Sequence, residues 1–81
     1  MTGDSPKRQF VRAGVVFEAA GFRPVWFAMG EKKVTIKEIH YSWKETEAGE
    51  LFYKFTVTDG IYFYELRLSS RKMRWSARIL E

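Results

Sequence analysis

The 81-residue chain has no cysteine, one histidine, two prolines and two aspartates, Asp4 and Asp59. Without cysteine there are no disulfides, thiolate metal sites or cysteine nucleophiles, and a reducing cytoplasm is the expected compartment. With His40 as the single imidazole, neither a multi-histidine metal centre nor a paired-histidine acid–base site can be built. No apolar run approaches the roughly 20 residues that span a bilayer as a helix, and residues 1–9 lack the apolar stretch of a secretory signal, so no membrane role is expected. The glycines at 14, 21, 30, 49 and 60 are dispersed, so they form neither a phosphate-binding loop nor a dinucleotide fingerprint. No enzyme, cofactor or metal is expected.

The chain is rich in large rings and positive charge: 17% of residues are aromatic, and 14 Lys and Arg stand against 10 Asp and Glu. Bulky aromatics let a short chain bury enough area to fold alone. The excess of positive charge favours an anionic partner such as nucleic acid, or an acidic protein surface. Met1 to Gln9 reads as a flexible leader, with turn-forming Gly3, Asp4, Ser5 and Pro6 and no periodic apolar face, so the domain is expected over residues 10–81.

Within that domain the pattern is strand throughout. Phe10 to Ala19 is rich in β-formers, and Arg23 to Met29 follows the Ala19-Ala20-Gly21 turn, with Pro24 suited to an edge or strand start. Trp26 and Phe27 have opposite parity, so one of them points away from the core unless both faces are covered. From Val34 to Lys44 the apolar phase changes, which a β-bulge near Lys37-Glu38 would correct. Taking Glu45–Gly49 as a loop, Asp59-Gly60 as a two-residue hairpin turn and Ser69–Lys72 as the last turn gives one set of pairings. Trp43 falls opposite Leu51, Phe55 opposite Tyr64, and Leu66 opposite Trp75. The expected fold is a single all-β domain, a five- or six-stranded antiparallel meander, strongly bent or a partly open barrel.

That register sends Phe52, Lys54, Phe63, Arg67, Arg74 and Arg78 to the outer face. Guanidinium and ammonium groups pair with phosphates while phenyl rings stack on unpaired bases, so these six are the candidate site for single-stranded DNA or RNA. The competing expectation is a protein partner or homodimer, docked through exposed aromatics or an edge strand. On the same face Arg67 can stack on Phe52, and Lys54 can pair with Glu65, as ordinary cross-strand contacts. Glu45, Glu47 and Glu50 read as a solvated acidic loop, and a Ser42, His40 and Glu65 grouping lacks the geometry of a triad.

Several features from Arg23 onward resemble a small bacterial family of all-β proteins of unknown function. They are Pro24-Val25-Trp26-Phe27, Gly30, a strand ending at Trp43, an aromatic strand before Asp59-Gly60, Tyr64-Glu65-Leu66 and Trp75. Members of that family stand alone or lie beside DNA-polymerase-like proteins of the lesion-bypass kind. The resemblance implies a DNA-related setting and brings no catalytic or binding residues, and the segment from Phe10 to Ala20 lies outside it.

Overall fold

Short turns, several with positive backbone φ, separate seven strands in the computed structural model, which describes residues 8–80. They are β1 (Gln9–Glu18), β2 (Gly21–Met29), β3 (Lys32–Thr35), β4 (Glu38–Glu47), β5 (Glu50–Thr58), β6 (Phe63–Ser69) and β7 (Arg74–Leu80). All pairings are antiparallel, in the order β3-β2-β1-β7-β6-β5-β4. The expected leader falls largely on residues 1–7, outside the described residues.

The all-β antiparallel character expected from sequence is present, but the strand count is seven rather than five or six. The difference lies at residues 34–44. The phase change there is a break between two strands, and the bulge expected near Lys37-Glu38 occurs instead at His40, where the β4–β5 register shifts. β3 and β4, consecutive in sequence, form the two opposite edges of the sheet. At the junction the Ile36 N–H donates to the Val25 carbonyl at 3.1 Å, and the Lys37 N–H to that of Thr58 at 2.8 Å. Those bonds satisfy a backbone that leaves one edge for the other, and they draw the curled sheet together at this end. The result is a half-barrel, closed by the chain at Ile36-Lys37 and open at the opposite end.

The apolar alternation of β5, β6 and β7 fills the concave side. Phe55, Val57, Tyr64, Leu66 and Ala77 are buried there, and Phe27 and Val34 reach them from β2 and β3. The Phe27 ring meets Tyr64 edge-on at 5.1 Å. Phe27 is completely buried and Trp26 is not, which assigns Phe27 to the core and Trp26 to the convex side. Gly14 explains how Trp26 is received. A Cβ at Gly14 would overlap the Trp26 indole, so the ring occupies space that only glycine leaves open.

The turns decide the register. Asp59 does not head a two-residue hairpin, because its Oδ1 accepts from the N–H groups of both Ile61 and Tyr62 at 2.8 Å, making a four-residue loop with Thr58 facing Phe63. These bonds favour the charged carboxylate and hold Asp59 below its ordinary titration range. This turn and the Ser70–Met73 turn each move the pairing by two residues, which keeps parity. Phe55 faces Leu66 and Leu66 faces Ala77.

The β4–β5 turn changes parity. The strands run on to Glu47 and Glu50, joined by Ala48-Gly49 alone, with φ of 52° and 80° as a type I′ hairpin needs. Ser42 therefore faces Phe55, while Trp43 faces Lys54 and turns outward. Alanine is a poor occupant of the left-handed region. Ala48→Asn is expected to raise stability by about 0.5–1 kcal/mol, read as a higher urea midpoint at unchanged slope.

Candidate nucleic-acid interface

Three cross-strand rows on the convex face contain most of the expected site. One runs Trp43, Lys54, Arg67, Ser76 and Phe10; the next runs Glu45, Phe52, Ser69 and Arg74; the third runs Tyr41, Thr56, Glu65 and Arg78. Extending β4 to Glu47 places Glu45 and Glu47 above this surface rather than in a solvated loop. Lys54 Nζ lies 2.8 Å from Glu45 and 2.9 Å from Glu47, and the Arg67 guanidinium lies 3.2 Å from Glu47. Burial disfavours the charged Lys54 ammonium, but the two carboxylate hydrogen bonds outweigh it and raise its pKa.

Glu65 is the second charge centre. Arg78 binds Oε1 at 2.8 Å, Arg8 binds Oε2 at 3.0 Å, and Lys54 stands 4.0 Å away. Burial pushes this carboxyl up, yet the Arg78 hydrogen bond and the neighbouring positive charges prevail, leaving it below the usual carboxylate range. Lys54 and Arg78 are thus satisfied by glutamates. Phe63 sits apart, edge-on to His40 at 5.0 Å. Ser42, on the concave side, is separated from both His40 and Glu65, so no triad forms. Among the described residues, no group of three His, Asp or Glu is placed to hold a metal ion.

Phe52, Arg67 and Arg74 do come together. A cleft of about 130 Å³ is lined by Phe10, Glu50, Phe52, Arg67, Ser69, Lys72, Arg74 and Ser76. Its two sides are guanidinium–ring stacks: Arg67 over Phe52 at 4.3 Å, and Arg74 over Phe10 at 4.5 Å. Arg74 has no carboxylate within ion-pairing distance among the described residues, and Phe10 is 70% exposed. The one carboxylate in the cleft, Glu50, accepts a hydrogen bond from the Ser69 hydroxyl.

Phe10, Glu50, Ser69, Lys72 and Ser76 line the cleft but are absent from the sequence-based set. Phe10 enters because β1 pairs with β7, setting Phe10 opposite Ser76 across most of the chain length. A third stack, Lys33 Nζ over Trp26 at 4.8 Å, continues the cation–aromatic character of the convex face. Comparison with known proteins adds no relative: no family model matches the chain, and neither does any curated protein or solved structure.

Proposed function

We propose that the protein is a non-catalytic module that binds single-stranded nucleic acid at the convex cleft. The observation that carries this reading is the pair of guanidinium–ring stacks facing each other across one cleft, with Lys72 on its rim. A phosphate seated between Arg67, Lys72 and Arg74 meets three cations, Arg67 shared with Glu47, and the Glu50 carboxylate, while the exposed Phe10 offers a stacking surface to an adjoining base. A curved sheet without a basic helix suits splayed bases better than a duplex groove. Lys54 and Arg78, tied to glutamates, position the surface and leave phosphate contact to Arg67, Lys72 and Arg74.

Fluorescence-anisotropy titration of labelled mixed-sequence single strands, DNA and RNA, tests this. Three phosphate-pairing cations predict a log–log salt slope of about −2. Arg74→Glu combined with Lys72→Glu should weaken binding at least tenfold in a protein that remains folded, because both side chains are exposed. Glu50→Gln, which removes the carboxylate that lines the cleft, should tighten it. Equal affinity for all three proteins, or no binding at low salt, would sink the proposal.

Self-association is the second reading, favoured by β4, a ten-residue edge strand with Tyr41 exposed. The His40 bulge and inward-turned Lys44 are features that blunt such edges. A mass that stays monomeric across a hundredfold concentration range by sedimentation would exclude it.

A further inference from the structure

The open end of the half-barrel leaves part of the concave layer uncovered. At the closed end Phe27 and Val34 lie over Tyr64 and Val57. At the open end Phe22, from the start of β2, reaches across, with ring centroids 5.2 Å from Tyr53, 5.9 Å from Phe55 and 6.4 Å from Trp75. Two chambers meet at Phe22 and Tyr53. The larger, about 440 Å³, is walled by Val15, Phe17, Leu68, Met73 and Trp75, with polar atoms from Ser70, the Tyr53 hydroxyl and the Trp75 indole. The smaller, about 260 Å³, is bounded by the Ala20-Gly21 turn and by Ser42, Trp43 and Lys44 of β4.

The two chambers differ chemically. The larger is apolar and flanked by Phe17 and Met73, which are 80% and 71% exposed and turn apolar surface to the solvent. The smaller is lined by a lysine, because the His40 bulge and the Ala48-Gly49 turn give Ser42 and Lys44 the concave parity, with Trp43 also at its edge. Among the described residues no carboxylate lies within ion-pairing distance of Lys44, in contrast to Lys54 on the opposite face. An apolar chamber joined to one bordered by a lysine with no carboxylate partner among the described residues is complementary to a molecule with a long apolar tail and a single negative head.

We propose that this groove binds a free fatty acid, its alkyl chain in the larger chamber and its carboxylate at Lys44. Alkyl burial should add about fourfold in affinity per methylene until the chamber is filled. The site lies on the concave face, so it is independent of the nucleic-acid cleft and stands or falls separately.

The test uses the full chain and cis-parinaric acid, a fatty acid that fluoresces when its chain enters an apolar site, below its micellar concentration. Saturated C8 to C14 carboxylates and 1-dodecanol serve as competitors. The expected results are saturable fluorescence, affinity rising with chain length, and about tenfold preference for dodecanoate over dodecanol. Lys44→Glu, an exposed substitution, should abolish that preference while the alcohol still binds. Met73→Glu should weaken both competitors. Absence of probe fluorescence, or an acid preference unchanged in Lys44→Glu, would overturn the assignment. Exclusion of the probe together with a mass that rises with protein concentration would overturn it too, by giving the groove to a second copy of the chain.

Discussion

Phe27→Ala is expected to cost about 3–5 kcal/mol, most of the stability available to a domain of this size. Phe27 is completely buried, and its edge-on contact with Tyr64 joins β2 to β6 across the interior of the half-barrel. Removing the ring loses its transfer free energy and leaves a void beneath Val34 that a curled sheet pinned at Ile36-Lys37 cannot easily close. Urea unfolding should show a large fall in midpoint, or a chain already unfolded at 25 °C. The control is Phe17→Ala. That ring is mostly exposed, so its truncation should change stability by no more than about 0.5 kcal/mol.

The second large effect is at Glu65. Glu65→Ala strands Arg8 and Arg78 on a partly buried surface without their carboxylate, while Lys54 keeps Glu45 and Glu47. Loss of one partner from such a cluster is expected to destabilise by about 3 kcal/mol, more than loss of an exposed ion pair such as Arg23 with Glu18. The pH dependence has a definite sign. Glu65 titrates below the ordinary glutamate value of 4.5, so its contribution is fully present above that pH and is lost as pH falls through the lowered value. The downward displacement of Glu45 and Asp59 acts in the same direction. Stability measured from pH 7 to pH 3 should fall on the acid side, and Glu65→Gln should flatten that limb. An acid limb unchanged in Glu65→Gln would remove Glu65 from this role.

Much of the concave side was legible in the sequence because alternation along β5, β6 and β7 survives any register error of two residues. Phe55, Val57, Tyr64, Leu66, Trp75 and Ala77 point inward in either pairing. β4 was misread because its parity depends on a turn whose first residue is an alanine at positive φ, a conformation that composition does not advertise. That one error turned Trp43 inward, placed Glu45 and Glu47 in a loop, and hid the carboxylates that neutralise Lys54 and Arg67. The choice between Trp26 and Phe27 depended on Gly14, a neighbour on another strand. The site was half legible for a similar reason. Arg67, Arg74 and Phe52 follow from local hairpins, whereas Phe10 arrives through the non-local β1–β7 pairing.

An amide-shift titration of the labelled protein with a short single-stranded oligonucleotide tests the functional account most directly. The account predicts that the largest changes cluster at Phe10, Phe52, Arg67, Lys72 and Arg74, and fade as salt is raised. Changes centred on the Tyr41–Lys44 edge or on the Phe17 and Met73 rims, or shifts indifferent to salt, would contradict it.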